Sequence, residues 1–386
     1  MPTVRVNRKA AERVHSGHPW IFASDIIDRG AAQAGATVRV VDPRGQALGT
    51  AHHSSTSQIA LRLLSRRVEP VDDAFLHARI EAALAYRERV VRDSDAYRLL
   101  HAEGDLLPGL IVDRYAEYLV VQLLDQGMDR LGDAIIGALD ALLRPKGIVA
   151  RNDVAVRAKE DLPQEIHISS GDVPERVDVR MNGLAWRADL LHGQKTGIFL
   201  DQRENYLAAR RYARGRALDC FTATGGFALH LASVCESVEA VDSSNAMLDA
   251  ARANAALNEI ANVAFQEANV LEYLPNLVAA RRTFDIVIVD PPAFTKSRSA
   301  VEGAVRGYKE INLRALRLLE RGGILVSCSC SHHMSEAHLL EVIASAALDS
   351  GRQLRVLERR TQAQDHPILL TVPETHYLKC LIFEVL

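Results

Sequence analysis

No run of about 18 apolar residues occurs in this chain of 386 residues, so a membrane-spanning helix is not expected. The amino terminus, Met1-Pro2-Thr3-Val4-Arg5, lacks a charged-then-apolar leader, and no internal repeat or low-complexity tract stands out. Cysteine is scarce. Cys220, Cys235, Cys328, Cys330 and Cys380 make an odd set without metal-ligand spacing, so neither a disulfide framework nor a metal site is expected. A reduced cytoplasm is the simplest compartment. Net charge is only −3, which by itself excludes no class of partner.

What is present describes a globular protein of more than one domain. Apolar residues make up 48% and charged residues 25%, and 386 residues are too many for one ordinary domain. Charge is unevenly placed. Residues 1–67 hold ten Lys/Arg against four Asp/Glu, or +6, which leaves −9 on the remainder. A small basic domain on an acidic body fits a phosphate-binding appendage, and it equally fits an ordinary solvated surface.

The first segment alternates short β-like runs at 4–6, 37–41, 47–51 and 59–64 with turn signals such as Asp42-Pro43-Arg44-Gly45, and predicts a small barrel with a helix over 9–15. Residues 72–92 read as a helix, Leu107–Asp113 as hairpin-like, 118–124 as a strand, 127–143 as a helix and 147–154 as a strand, together a compact α+β unit. From about residue 196 strands at 216–221, 237–241, 263–266, 284–289 and 322–328 alternate with helices. That rhythm predicts a mostly parallel sheet covered on both faces. The expected domains are 1–67, 68–178 and 179–386.

Two strand ends carry the ligand chemistry. Arg216–Phe221 runs into Thr222-Ala223-Thr224-Gly225-Gly226-Phe227, where glycines let a ligand approach the backbone. Asp242 ends the next strand, 17 residues after Gly225, and a carboxylate there can accept from both ribose hydroxyls of an adenosine ligand. The loop lacks the Gly-x-Gly-x-x-Gly of nicotinamide dinucleotide sites, and Asp219 before it would repel a pyrophosphate. A carboxylate at that point suits a cationic amino-acid moiety, which favours S-adenosylmethionine. Asn269, after the third strand, either hydrogen-bonds an adenine edge or simply occupies a turn.

Two further strand ends carry the reaction. Phe284–Val289 ends in Asp290-Pro291-Pro292, a turn stiffened by two prolines, whose carbonyls and Asp290 can address the edge of a flipped base. Phe294 either stacks beneath that base or packs. Gly322–Val326 leads into Ser327-Cys328-Ser329-Cys330-Ser331. A thiolate adding to carbon 6 of cytosine makes carbon 5 enamine-like and able to take a methyl group. Cys330 is nearer the strand end than Cys328 and is the better nucleophile by position, although the two share a face if the strand stays extended. Cys220, Cys235 and Cys380 read as small buried apolar residues. His332 or His333 can act as proton acceptor or be plain solvated loop residues.

At these residues the chain resembles the bacterial large-subunit ribosomal RNA cytosine-5 methyltransferases with an amino-terminal PUA domain. The similarity runs through His18-Pro19-Trp20-Ile21-Phe22, Gly109–Arg114, Asp153–Arg157, His192-Gly193-Gln194-Lys195-Thr196-Gly197 and Leu200-Asp201-Gln202-Arg203. It continues through Thr224–Phe227, Asp290-Pro291-Pro292, Arg306-Gly307-Tyr308-Lys309 and Ser329-Cys330-Ser331. It departs at Asn269, where the family usually has an acid, and at Ala293, where a lysine is common.

The resemblance implies an α/β class I (Rossmann-like) methyltransferase domain preceded by a small β-barrel PUA domain and a central α+β domain. It implies S-adenosylmethionine as cofactor and 23S ribosomal RNA or a large-subunit precursor as partner; a homodimer is allowed. By this resemblance Cys330 and Asp290 are the catalytic pair. Asp219, Phe221, Thr224, Gly225, Gly226, Asp242, Ser243, Asn269, Asp290 and Gln202 are expected to bind cofactor, and no residue is expected to bind metal. Arg5, Arg8, Lys9 and Arg13, with Arg62, Arg66 and Arg67, are expected at phosphates, together with Phe294 and Lys195 on RNA. Two rivals stay open: methylation of a guanine nitrogen, which needs no cysteine, and a non-catalytic RNA-binding assembly factor.

Overall fold

The computed structural model describes residues 1–193, 195–294, 301–331 and 333–386. The described residues divide into two compact units. One comprises 1–180, 188–198 and 364–375; the other comprises 181–187, 199–363 and 376–386.

The first unit opens with β1 (Thr3–Val6), α1 (Arg8–His15), β2 (Trp20–Phe22), β3 (Ile26–Asp28), β4 (Thr37–Val41), β5 (Ala47–His53) and β6 (Ile59–Ser65). Among the described residues these strands form a six-stranded sheet in the order β2-β6-β5-β4-β1-β3. Alternation sends Val4, Val6, Val38 and Val40 into a core with Ile21 and Leu61, while Arg5 and Arg39 face solvent. Asn7 caps α1 by accepting from the Ala10 amide at 2.8 Å. β2 and β3 are absent from the runs read in the sequence, because three residues are too few to show a period.

The same unit continues with α2 (Asp73–Val90), β7 (Ala96–His101), β8 (Leu110–Tyr115), β9 (Tyr118–Leu123), α3 (Gln126–Arg130), α4 (Gly132–Leu143), β10 (Gly147–Arg151) and β11 (Ile166–Gly171). Its strands make a second sheet, ordered β11-β10-β9-β8-β7 among the described residues. Leu76, Ile80, Leu99, Val112, Ile135 and Leu139 share its core. The stretch expected as one helix over 127–143 is two, separated at Leu131. Leu107-Pro108-Gly109 lies in the connection between β7 and β8, which pair antiparallel as a hairpin, with Gly109 at φ +84°.

The chain passes to the second unit through β12 (Arg176–Met181) and β13 (Leu184–Asp189). There follow α5 (Arg203–Tyr212), β14 (Arg216–Cys220), α6 (Gly226–Ala232), β15 (Ser237–Asp242), α7 (Asn245–Leu257), β16 (Val263–Glu267) and α8 (Val270–Ala279). After these come β17 (Phe284–Val289), α9 (Val301–Arg317), β18 (Leu319–Ser329), α10 (Glu336–Ser350), β19 (Leu354–Arg360) and β20 (Lys379–Val385). The sheet order is β16-β15-β14-β17-β18-β20-β19, with β20 antiparallel to both its neighbours. Ile286, Val287, Ile288 and Val289 are all fully buried, as a central parallel strand covered on both faces requires. Truncating Ile288 to Ala would cost about 2–5 kcal/mol.

This order fixes where a ligand can sit. From β14 the chain first builds β15 and β16 on one side, then returns to build β17 and β18 on the other. The switch lies between β14 and β17, and ligands bind outside the carboxyl ends of the strands at such a point. The register aligns those ends, because Cys220 pairs with Val241 and with Val289, and Val289 pairs with Ser327. Asp219, Asp242, Asp290 and Cys330 therefore lie at one edge of one sheet.

Candidate active site

The turn after β14 is backbone held in an uncommon conformation. Phe221 and Ala223 have φ of +65° and +48°, and Gly225 has +93°. Non-glycine residues there cost about 1–3 kcal/mol each, and such strain gathers where a ligand must be met. Gly226 opens α6 directly beneath the Tyr206 ring; a Cβ at that position would collide with the ring.

Asp219 is the decisive side chain on this side. It is 1% exposed. Its Oδ2 accepts from the Thr222 hydroxyl at 2.6 Å and the Ala228 amide at 3.0 Å. Its Oδ1 is buried and has no partner among the described residues. Burial pushes the carboxyl up to about 7; the two donors oppose that rise, and Asp290 and Asp242 add to it. Tyr206 reports the same field, since its hydroxyl is raised first by burial and then by Asp290, Asp201 and Asp219. A buried acidic pocket with one carboxylate oxygen unmatched fits a ligand that carries positive charge and repels a pyrophosphate.

Asp242 lies at the end of β15, half-buried. Its Oδ2 accepts from the Ala223 amide and its Oδ1 from the Ser244 amide, each at 2.9 Å, which fixes the carboxylate at the strand end. Ser243 beside it is exposed. Asn269 is exposed and caps α8 by accepting from the Leu271 amide at 3.1 Å, while its amide group donates to Glu272 at 3.3 Å. Thr224 and Gly225 line the turn itself. S-adenosylmethionine fits this set: it carries positive charge, which a buried carboxylate with an unmatched oxygen can take, and hydroxyls, which a carboxylate fixed at a strand end can take.

On the other side, Asp290 is half-buried and its Oδ2 accepts from Gln202 Nε2 at 2.9 Å. Gln202 is itself held by Asn205, which donates to its Oε1 at 2.7 Å. The Phe294 ring meets Tyr308 edge-on at 4.9 Å, and the Tyr308 hydroxyl shares a 2.8 Å hydrogen bond with Ser329 Oγ. The two cysteines differ sharply. Cys328 is wholly buried, and burial with the neighbouring Cys380 thiol pushes its own thiol well up. Cys330 lies one residue beyond β18 and is partly exposed. Cys220, Cys235 and Cys380 are buried.

Several residues matter here that sequence reading passed over. Thr222 holds Asp219, Asn205 holds Gln202, and Tyr308 braces Ser329. Lys379 opens β20 opposite Ser329. The available signal was a single lysine heading a mostly apolar strand. His332 and Gln194 lie outside the described residues; His333 is exposed.

The expected phosphate contacts belong to the first unit. Arg5, Arg8 and Lys9 are exposed, with Arg8 paired to Glu12 at 2.7 Å. Arg13 is not disposed as expected. It is bound to Asp25 at 2.6 Å and lies 4.8 Å over the Phe22 ring, so it braces the sheet. Arg62 is likewise buried against Glu160 at 2.9 Å. Arg66 and Arg67 are exposed, and Lys195 is exposed with φ +53°.

A model of S-adenosylmethionine-dependent methyltransferases matches residues 98–384, and one of PUA-like domains matches 4–66. A ribosomal RNA large subunit methyltransferase I from Tolumonas auensis is 40% identical, over 98% of each chain. This chain belongs to that family. A relative of the same description from Escherichia coli O157:H7 is 38% identical over 94% of each chain. Two solved structures share the fold over the full length of both chains. One is described as a SAM-dependent methyltransferase from Streptococcus mutans, at 20% identity and TM-score 0.84. The other is SMU.776, described as a methyltransferase complexed with SAH, at 19% identity and TM-score 0.87. Membership makes the protein an S-adenosylmethionine-dependent methyltransferase with a PUA-like amino-terminal domain. Among the described residues no helix is long and apolar enough to cross a membrane.

Proposed function

We propose that the protein methylates carbon 5 of a cytosine in 23S ribosomal RNA through a covalent adduct on Cys330. The observation that carries this reading is the position of that thiol. It is partly exposed just past the end of β18, beside the strand whose end carries Asp290. An N-methyltransferase has no use for an exposed thiol there.

S-adenosylmethionine supplies a methyl group on a sulfonium. The chain's residues do the rest. Asp219 takes the ammonium and Asp242 the ribose hydroxyls, with Phe221, Ser243 and Asn269 around the nucleoside. Asp290, oriented by Gln202, accepts from the exocyclic amine of the flipped base, and Phe294 stacks on its ring. The Cys330 sulfur pair forms a bond to carbon 6, and the carbon 5–carbon 6 electrons shift so that carbon 5 takes the methyl. A base removes the carbon 5 proton, the double bond reforms, and the carbon–sulfur bond breaks to return the thiolate.

The PUA-like domain, within 1–67, supplies phosphate contacts through Arg5, Arg8 and Lys9, with Lys195 as a further contact. Residues 68–178 and 179–386 form the central and methyltransferase domains. The experiment is RNA carrying 5-fluorocytidine, whose carbon 5 has no proton to lose. A stable protein–RNA adduct that needs cofactor and vanishes in Cys330→Ala is expected. Full methyl transfer by Cys330→Ala would sink the covalent reading and return guanine nitrogen to consideration. Bisulfite sequencing of ribosomal RNA with and without the gene names the nucleotide.

A further inference from the structure

Lys379 is a buried cation with no carboxylate paired to it among the described residues. Only 3% of it is exposed. Its Nζ donates to the Ser331 carbonyl at 2.6 Å and to the Tyr377 carbonyl at 2.9 Å. An ammonium has three donors, and among the described residues the third has no hydrogen bond. Buried charges are paired, because an uncompensated one costs several kcal/mol. The register says what lies nearby. Lys379 stands directly opposite Ser329 on β18, and its side chain reaches the carbonyl of Ser331, so it spans the position of Cys330 between them.

We infer that Lys379 is the counter-ion of the Cys330 thiolate. This inference rests on the covalent reading of the preceding subsection. Lys379 does not touch the base; it acts through the sulfur. With the lysine already protonated, the Cys330 thiol gives its proton to solvent, leaving thiolate and ammonium side by side. The ammonium remains while sulfur is bonded to carbon 6, and it receives the thiolate again when that bond breaks. Burial lowers the lysine to about 8, with Cys330 and then Glu336 pulling it back up. Near neutral pH the lysine is therefore mostly protonated and keeps its charge.

The other charges around the pair do not replace it. Glu336, at the start of α10, is engaged by Arg359 of β19. Asp290 is negative, and like Cys328 it opposes ionisation of a neighbour. Tyr308 on α9 holds its proton more firmly, chiefly through burial and then through the negative charge of Cys330. Cys380, next to Lys379, is buried against Cys328. Among the described residues Lys379 is thus a cation placed to balance this thiolate.

The test is the pH dependence of Cys330 alkylation by iodoacetamide on the full-length protein, with the Cys330 peptide quantified by mass spectrometry. The expected wild-type midpoint lies below the ordinary thiol value of about 8.5. In Lys379→Met it rises by about one pH unit or more, and in Lys379→Arg, which keeps the charge, it stays near wild type. A wild-type midpoint at or above about 8.5, or a Met variant that titrates like wild type, overturns the inference. So does an Arg variant that shifts as far as the Met variant, since shape rather than charge would then be at work. If the Met variant fails to fold, the wild-type midpoint decides alone. Failure of the covalent reading is a different result: Cys330→Ala keeps methyl transfer whatever the midpoints are.

Discussion

Replacing Asp219 by Asn should make the protein more stable and its cofactor site worse. The carboxyl is raised from its ordinary 3.8 to about 7 by burial. At about 1.36 kcal/mol per pH unit, holding it ionised in the empty protein costs about 4 kcal/mol at pH 8. An amide has the same shape, and its oxygen can keep the Thr222 and Ala228 bonds, but its NH2 group takes the place of the unmatched Oδ1 and costs about 1–3 kcal/mol unpaired. The net gain in unfolding free energy without cofactor is about 1–3 kcal/mol at pH 8.

The pH dependence follows from the same numbers. A group whose folded pKa is raised contributes stability that is complete below its unfolded value and is lost as pH rises through the folded one. Wild type therefore loses stability between about pH 4 and about pH 7, and the Asn variant does not share that loss. Its advantage should grow across this window and level off above it. S-adenosylmethionine binding should move the other way. Losing a charge-assisted hydrogen bond of about 1.5–3 kcal/mol weakens affinity about 10- to 150-fold. In wild type, affinity should fall below about pH 7 as Asp219 takes up its proton and the ammonium loses its anion. Urea unfolding across pH and isothermal calorimetry read both quantities. A variant that is less stable than wild type at pH 8, or that binds cofactor equally well, would refute the argument.

Phe294→Ala should raise KM for RNA by roughly 5- to 150-fold, the equivalent of the 1–3 kcal/mol of one stacking interaction, with cofactor affinity unchanged in calorimetry; an unchanged KM would show the ring only packs on Tyr308. Cys328→Ala should keep methyl transfer and lower stability by about 1–2 kcal/mol in urea unfolding, since a small buried side chain is removed; loss of turnover in a folded variant would shift the nucleophile to Cys328. Neutralising Arg5, Arg8 and Lys9 together should flatten the plot of log affinity for RNA against log salt by about 0.7–0.9 for each phosphate that is no longer neutralised. Arg13→Gln should lower stability instead, because Asp25 loses its partner. An unchanged salt slope would take the phosphate role from the three exposed residues.

The sequence disclosed strands and loops far better than it disclosed the partners of side chains. The alternation from residue 216 onward announced a parallel sheet, because buried strands such as Phe284–Val289 are apolar throughout and turns such as Thr224-Gly225-Gly226 have few uses. β19 and β20 were not legible. β19 reads Leu-Arg-Val-Leu-Glu-Arg-Arg, a charged edge whose identity as a strand depends on its neighbour. The arginines show the same limit. Arg5 and Arg13 are indistinguishable as letters, yet one faces solvent and the other is held by Asp25 eighteen residues from Asn7, which shares that carboxylate. Adjacent motifs fixed Asp219 and Asp290, whereas Gln202 met Asp290 only through a separation of 88 residues.

The placement of β20 between β18 and β19 has a consequence for the order of events during synthesis. β20 is translated after every other strand of its sheet and then enters between two strands already made. Until residues 379–385 have emerged, β18 is left with an open edge on that side, and the serine–cysteine turn at its end lacks the lysine opposite. The nascent protein thus carries a thiol that is not yet paired with its cation, and competence arrives with the last strand of the sheet. A ribosome-bound intermediate stopped before Lys379 would hold its thiol less ionised than the finished protein does, however well its cofactor pocket had formed.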